Sequence, residues 1–330
     1  MSPNARRIRL QGINAALFSA LFLGMAPVFG KAAINAGLPP LGVVAMRTFF
    51  ATLLLFVVMF VFQRKYLYIY PAGLIGCGLA GLINGWGSLL YYSALGRIDA
   101  GVGQLLYSLY PLFVAFWLFL DNQPPTRLTI VRLLLAAPAV YLLVQTGSGG
   151  MDWLGMAMMI GAAAMYALHL PINQRVLFDI PAPTVTLYTL AAMTAAVVPV
   201  YLFSGTLGDF PATTSFVWPL VALTLVTFLS RLTLFLGVKN IGGLQTALLG
   251  LGELLVTLLL ARFWLGEDLN LYQWLGAVLL GISLLLVAFD QGAPPRRGRG
   301  GLLSWLTANP ATALPLDLAL PPEPRQPSGD

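Results

Sequence analysis

The sequence predicts an all-α polytopic membrane protein, with ten transmembrane helices arranged as two inverted five-helix repeats. Of the 330 residues, 58% are hydrophobic and only 9% are charged. A soluble domain is about 45–50% apolar and about 25% charged, so this chain lacks the charge to cover its surface in water. A bilayer core requires about 20 apolar residues per helix. The length therefore accommodates about ten spans joined by short loops.

Ten apolar windows follow one another, separated by proline, glycine or charged residues. Typical breaks are Gln123-Pro124-Pro125 and Pro181-Ala182-Pro183, which mark turns. Strands of a membrane β-barrel would be about 10 residues long and would alternate apolar with polar residues. The windows are longer than that and do not alternate. The predicted spans are 12–36, 41–63, 71–95, 100–121, 126–146, 151–173, 182–204, 214–239, 243–263 and 270–290.

The first window resembles a signal peptide because Arg6, Arg7 and Arg9 precede it. Its apolar run from 12 to 30 is too long for a signal core, so we predict a retained first helix. With residues 1–11 placed in the cytoplasm, thirteen Lys and Arg fall on the inner side and three on the outer side. This positive-inside bias predicts that both termini are cytoplasmic. Residues 291–330, rich in proline and glycine, are predicted to be a disordered cytoplasmic tail.

The two halves of the chain, 12–147 and 151–290, are similar at an offset of about 143 residues. Residues 94–100, which lead into span four, parallel residues 237–243, which lead into span nine. Each half holds five spans, an odd number, so the two copies must cross the bilayer in opposite directions. Inverted repeats are typical of secondary transporters, whose substrate site lies near the midplane between the repeats.

Several stretches resemble a known family. They are residues 233–289, with Gly237-Val238-Lys239-Asn240-Ile241, Leu265-Gly266-Glu267 and Trp274-Leu275-Gly276-Ala277, and in the first half Ala94-Leu95-Gly96, Tyr110-Pro111 and Arg47. In these the chain resembles the EamA-type group of the drug/metabolite transporter superfamily. Members usually carry a Glu-Pro pair in the ninth span and often in the fourth. Here the pair is split into Glu253-Leu254 and Tyr110-Pro111. The resemblance implies a ten-helix, exporter-like carrier of amino acids, nucleotide-sugar-like molecules, drugs or other metabolites.

Ionisable residues inside the spans indicate the site, because a charge at the bilayer centre costs at least ~2.5–3.5 kcal/mol. Glu253 lies in the middle of span nine and Arg231 at a similar depth in span eight. They form either a titratable or substrate-binding pair in a cavity, or a structural ion pair that closes the bundle. If Glu253 titrates, protons are the expected coupling ion.

Polar and aromatic side chains on neighbouring spans complete the candidate site. Gln104, Tyr107 and Tyr110 share one helical face, which suits a cavity better than lipid. Arg47 and Lys31 are expected in an outer vestibule, although Arg47 also fits a snorkelling role. His169, the only histidine, fits either a pH-sensing or a packing role. The other candidates for the cavity are Asn84, Trp86, Tyr91 and Thr246.

The expected function is secondary active or exchange transport, with export as the predicted direction, of small metabolites such as amino acids. A lipid or headgroup flippase and, third, a channel or structural subunit are the alternatives. No P-loop and no His-Glu-x-x-His motif is present, so we predict no enzyme, cofactor or metal. The scattered basic residues predict no nucleic acid partner. Membrane lipids are expected partners, and the sequence leaves a homodimer open.

Overall fold

The computed structural model describes residues 3–98, 100–122, 125–144, 152–205, 214–260, 263–264 and 271–286. These residues form α-helices and short 3₁₀ turns, with no β-strand among them. The tail predicted at 291–330 lies outside the described residues. The helices are α1 Pro3–Asn35, α2 Pro40–Phe62, α3 Pro71–Leu95, α4 Ala100–Tyr107, α5 Tyr110–Leu120, α6 Arg127–Val144, α7 Trp153–Val176, α8 Ala182–Phe203, α9 Val217–Ile241, α10 Gly243–Gly250, α11 Gly252–Leu260 and α12 Leu271–Leu285. The 3₁₀ turns are Arg64–Leu67 and Thr214–Phe216.

Local sequence explains where the helices begin and end. Pro40 and Pro71 occupy the first turns of α2 and α3, where a missing N–H costs nothing. Asp152 caps α7 by accepting a hydrogen bond from the Gly155 N–H at 2.9 Å. That bond, and then Arg97 beside it, hold the pKa of Asp152 below its usual value. Gly242 ends α9 with φ of 87°, a conformation that favours glycine.

Seven helical segments within the described ranges are long and apolar enough to cross a membrane. They are α1, α2, α3, α7, α8, α9 and the stretch Gly243–Leu260, which holds α10 and α11. The remaining predicted spans correspond to α4 with α5, to α6 and to α12. The chain is therefore an integral multi-pass membrane protein, and its all-helical class is the predicted one.

Spans four and nine were each predicted as one apolar segment, 100–121 and 243–263, and the helix of each is interrupted in the structure. Span four breaks at Ser108 and Leu109 because Pro111 cannot donate a hydrogen bond to the preceding turn. Span nine breaks at Leu251, which lies between two glycines. The repeat offset of 143 residues separates Ser108 from Leu251. The two repeats are therefore interrupted at the same place.

The helices pack in pairs that are exchanged between the repeats. The contact of α1 with α9 is matched by α7 with α3, and the contact of α2 with α9 is matched by α8 with α3. Similarly, α1 packs on α10 and α11 as α7 packs on α4 and α5. The helix pairs α2–α8 and α6–α12 join each element to its own counterpart. This pattern is what an internal two-fold relation between the repeats requires.

The two ends of the bundle differ in how they are closed. At the end where α5 and α7 finish, here called the Asp121 end, Asp121 accepts two hydrogen bonds from Arg175 at 2.9 and 2.6 Å. Both side chains are at most 1% exposed. At the opposite end Arg97 and Asp152 pair at 3.2 Å, with 47% and 31% of their side chains exposed. The closure at the Asp121 end is thus buried, and the other is open to solvent.

Candidate functional site

A small cavity of about 40 Å³ lies between the two repeats. By its volume it holds about three waters. Seven helices contribute its walls: α1, α2, α3, α4, α7, α9 and α11. The lining residues are Leu23, Ala26, Arg47, Asn84, Gly87, Ser88, Tyr91, Tyr92, Gln104, Tyr107, Tyr166, Arg231 and Glu253.

Arg231 of α9 is held by side chains of the first and second repeats. With its amide oxygen toward the guanidinium, Asn84 accepts hydrogen bonds from both terminal nitrogens of Arg231 at 3.0 and 3.1 Å. Arg231 Nη1 lies 3.5 Å from His169 Nε2, and the guanidinium lies over the Tyr166 ring at 5.7 Å. The planar, delocalised charge of arginine suits both kinds of contact.

Arg47 of α2 provides a second buried cation in the cavity. Its terminal nitrogens lie 3.3 Å from Thr227 Oγ1 and 3.4 Å from Ser88 Oγ. The guanidinium also lies 4.5 Å from the centre of the Tyr92 ring. Its Nε has no hydrogen-bond partner among the described residues. The cation is therefore held in place with one donor still available.

Glu253 is the carboxylate of the cavity lining and is 1% exposed. It lies in the first turn of α11, where the helix dipole favours a negative charge. The Gln104 side chain is within hydrogen-bonding reach of the carboxyl. Oε1 has no partner among the described residues. Glu253 and Arg231 are not among the ion pairs found within 4 Å in those residues.

Tyrosines form the aromatic wall between the charged groups. Tyr91 donates a hydrogen bond to Gln104 at 3.0 Å and contacts Tyr107 with ring centres 4.9 Å apart. Tyr107 in turn contacts Tyr166 at 5.3 Å. Tyr110 packs behind this wall and donates to the Ala247 carbonyl at 2.9 Å. The wall thus joins α3, α4 and α7 to the interrupted span nine.

The structure brings together most of the residues that the sequence nominated. Seven of them line the cavity, namely Glu253, Arg231, Arg47, Asn84, Tyr91, Gln104 and Tyr107. His169 and Tyr110 lie in a second layer, through their contacts with Arg231 and Tyr166.

Three expectations need correction, and the one for Lys31 is not tested. Trp86 is 52% exposed on the outer face of α3, so it does not reach the cavity. Thr246 is not among the residues that line the cavity, and its hydroxyl donates to the carbonyl of Gly242, the N-cap of α10, at 2.8 Å. Lys31 is part-buried, and its Nζ donates to the Leu95 and Ile98 carbonyls at 2.7 and 3.3 Å; its place in an outer vestibule stays a prediction. Arg47 was expected in the outer vestibule and lies in the cavity itself.

Sequence reasoning missed Tyr166 and Ser88 as cavity residues. A signal was available for Ser88, because the candidate Arg231 follows it by the repeat offset of 143 residues. The counterpart of Tyr166 is Leu23, an apolar residue that gave no such signal. Equivalent positions in the two repeats face the same internal axis. A cavity residue in one repeat therefore predicts that its counterpart in the other repeat also lines the cavity.

The fold and the cavity define a multi-pass membrane protein with a polar, aromatic site between two repeats. The family model of the EamA-like transporter family matches residues 10–145 and 153–289. The chain therefore belongs to the EamA-like transporter family and is a membrane transporter of the drug/metabolite type. This assignment agrees with the resemblance found in the sequence. It also places the chain in a family of transporters rather than of enzymes.

The fold has a counterpart among solved structures. A structure titled only "Crystal structure of protein" matches with a TM-score of 0.66 at 17% identity, over 84% of this chain and 96% of that chain. At this identity the likeness shows the fold alone. No curated protein matches the sequence.

Proposed function

We propose that the chain is a secondary transporter that exports or exchanges small amphipathic metabolites, such as amino acids, by alternating access. The observation that carries the proposal is the central cavity. It joins two buried arginines, one carboxylate and a wall of tyrosines at the interface between the repeats. A few precisely placed polar groups fix the orientation of a ligand in its pocket, and this cavity offers such groups in its two guanidinium groups, its carboxylate and its two amides.

The charges of the cavity suit a zwitterionic substrate. A substrate carboxylate fits Arg47 and Arg231, since guanidinium groups bind carboxylates well. A substrate ammonium fits Glu253, whose Oε1 is free of partners among the described residues. Arg47 Nε and the Tyr92 hydroxyl are likewise buried without a partner there. Buried polar atoms of this kind require an explanation, and a bound substrate supplies one.

The proposed topology has ten spans, with both termini in the cytoplasm of the inner membrane. Its support is the distribution of Lys and Arg, thirteen against three, and the five-helix organisation of each repeat. In this orientation the Asp121 end faces the cytoplasm. The cavity of about 40 Å³ is too small for a metabolite, so the state described here is a closed one, and transport requires the repeats to move apart.

We further propose that Glu253 couples transport to protons. It is the carboxylate that lines the cavity. When the cavity is open to water, its carboxylate can bind either a proton or the ammonium group of a substrate. Protons and ammonium-bearing substrates then compete for the same oxygen atoms, which is the basis of antiport.

Counterflow in proteoliposomes tests the proposal. A panel of labelled amino acids and metabolites is offered with and without a pH gradient, to wild type, Glu253→Gln and the control Asp152→Asn. The control makes the same carboxylate-to-amide change at an exposed site outside the spans. We expect saturable exchange that responds to the gradient in wild type and the control. In Glu253→Gln the response to the gradient should be lost.

Each other outcome has a definite meaning. If exchange by wild type is saturable but does not change with the pH gradient, the chain is a carrier and the proposed proton coupling is wrong. Linear, non-saturable flux rejects the carrier in favour of a channel. Absence of exchange for the whole panel, from protein with an unchanged melting temperature, rejects amphipathic metabolites as substrates.

A further inference from the structure

We propose that an anionic phospholipid binds on the outer face of the bundle. One acyl chain lies in a groove between α2 and α8, and the headgroup lies against Arg64 and Lys65. The proposal is independent of the transported substrate. The orientation given under the proposed function places Arg64 and Lys65 at the cytoplasmic leaflet, and this is the one point in which the lipid site rests on that proposal.

The groove is a separate site from the central cavity. Its volume is about 410 Å³, within the range of about 300–1,000 Å³ for ligand pockets. Its walls are Phe49, Leu53 and Phe56 on one side and Leu187 and Ala191 on the other. No residue lines both the groove and the cavity. Helix α2 presents Arg47 to the cavity and Phe49 and Phe56 to the groove.

The polar atoms of the groove bind one another and leave a hydrocarbon surface. The Thr52 and Thr194 hydroxyls lie 2.8 Å apart, and each can donate its one proton either to the other hydroxyl or to a carbonyl of its own helix, at 2.8 and 2.9 Å. The Tyr188 hydroxyl donates to the Leu67 carbonyl at 2.6 Å. With these groups satisfied, the groove offers little to a polar molecule. An alkyl chain is the ligand chemistry that matches it.

The depth of the groove matches one leaflet of the membrane. Phe56 and Phe49 lie six and thirteen residues before Phe62, the end of α2, or about 9 and 20 Å along the helix. The hydrocarbon layer of one leaflet is about 15 Å thick, half of the bilayer core. The groove therefore extends from Leu67, on the headgroup side, to the middle of the bilayer and about 5 Å beyond it, which is close to the length of one acyl chain.

Two exposed cations stand at the headgroup end. Arg64 and Lys65 open the 3₁₀ turn Arg64–Leu67, whose last residue lines the groove. Arg64 is held there because its Nε donates to the Phe60 carbonyl at 2.8 Å, and Lys65 Nζ lies 5.0 Å from the Tyr66 ring centre. Neither is in an ion pair with a carboxylate among the described residues. Uncompensated cations beside an alkyl groove are complementary to a lipid phosphate.

Native mass spectrometry of protein taken from bilayers of equal phosphatidylglycerol and phosphatidylcholine tests the site. Three variants are compared with wild type: Arg64→Gln with Lys65→Gln, Ala191→Phe, and the control Arg6→Gln with Arg7→Gln. The control removes two neighbouring exposed charges from α1, away from the groove. We expect wild type to retain the anionic lipid on the order of tenfold better than the zwitterionic one, given two basic residues at the membrane surface.

The variants separate the headgroup from the acyl-chain contribution. Neutralising Arg64 and Lys65 should abolish the preference for phosphatidylglycerol and leave the retention of phosphatidylcholine unchanged. Ala191→Phe fills the groove and should reduce the retention of both lipids, with Ala191→Leu intermediate. The control should match wild type.

Three results would overturn the site. They are equal retention of the two lipids by wild type, a loss of preference in the α1 control as large as that at Arg64 and Lys65, and unchanged retention in folded Ala191→Phe. A fall in the dimer signal in Ala191→Phe with unchanged lipid retention would assign the groove to a second copy of the chain instead. Counterflow activity does not enter these readouts, so failure of the lipid site and failure of the transport proposal remain distinguishable.

Discussion

At the residue scale, Arg231 is the side chain at which the contacts of the cavity converge. It meets Asn84 with two nitrogens, approaches His169 with one, and lies over Tyr166. A guanidinium can make these contacts together because it is planar and carries several donors in a fixed plane. A lysine ammonium at the same place keeps the charge and loses the geometry.

The change Arg231→Lys should therefore lower the initial rate of counterflow by at least ~10-fold, as expected when a charged hydrogen-bond network loses about 1.4 kcal/mol or more. The measurement is initial rate against substrate concentration in proteoliposomes. The matched control is Arg97→Lys, which makes the same change in an exposed ion pair and should stay near the wild-type rate. Equal rates for the two variants would show that charge alone matters at Arg231.

At the element scale, the interrupted spans bring backbone close to the cavity. Glu253 begins the second half of span nine, and α1 packs directly against that half. The Thr257 hydroxyl donates to the Gly24 carbonyl at 2.8 Å. A Cβ on Gly24 would stand 2.5 Å from the Glu253 carbonyl oxygen and 2.6 Å from Val256 Cβ. The position of Glu253 thus depends on a glycine in another helix.

Gly24→Ala should reduce transport and lower the apparent melting temperature, because overpacking a closely packed contact costs about 1–3 kcal/mol. Gly78→Ala is the matched control, since a Cβ there meets nothing within 4 Å. In a helix that substitution alone is neutral or favourable. Transport assays and thermal unfolding in detergent measure both variants. If the Gly24→Ala protein keeps wild-type activity and stability, α11 can move away from α1 without cost, and the position of Glu253 does not depend on Gly24.

The elements also show what a sequence can predict. Proline and glycine mark helix ends, so the boundaries of α2, α3 and α8 lie within two residues of those expected. Pro111 lies next to the interruption of span four, but an apolar window average does not register it. The break at Leu251 has no proline, and only its symmetry with Ser108 identifies it. A periodic apolar pattern predicts that a helix is present. Whether that helix is unbroken depends on single backbone hydrogen bonds, which the pattern does not show.

The same limit applies to the site. Buried charge in an apolar span is costly, and that cost alone singled out Glu253 and Arg231. Whether Trp86 and Arg47 point into the cavity or away from it depends on how α3 and α2 are rotated about their axes in the bundle. The sequence of a single helix does not specify that rotation. A cavity residue such as Ser88, the counterpart of Arg231, is found only when the internal two-fold relation is used as a constraint.

At the scale of the whole molecule, the two-fold relation is broken by the way the ends close. The Arg175–Asp121 pair at one end is buried, and beside it Gln174 accepts from the Gly243 N–H at 2.6 Å. The pair at the other end is exposed. Removing one partner of a buried ion pair costs about 3–5 kcal/mol, whereas an exposed pair contributes about 0–1 kcal/mol. The Asp121 end is therefore the more firmly closed in this state.

If alternating access separates the repeats at the Asp121 end, Asp121→Asn should make that separation easier. Cys77, the single cysteine of the chain, reports on it without further engineering. It lies on α3, six residues from the start of the helix at that end, and is fully buried in a cluster with Val176 and Leu177. The rate of maleimide labelling of Cys77 then measures how often the end opens.

We expect Asp121→Asn to label several-fold faster than wild type, and Arg97→Gln, which breaks the exposed pair, to label at the wild-type rate. General loosening of the fold is separated from opening by the double variant Asp121→Asn with Arg175→Gln. That variant leaves no uncompensated charge and should recover stability while still labelling fast. Fast labelling only in variants with a lowered melting temperature would identify the pair as structural. Slow labelling in all variants would show that the closed end does not depend on this pair.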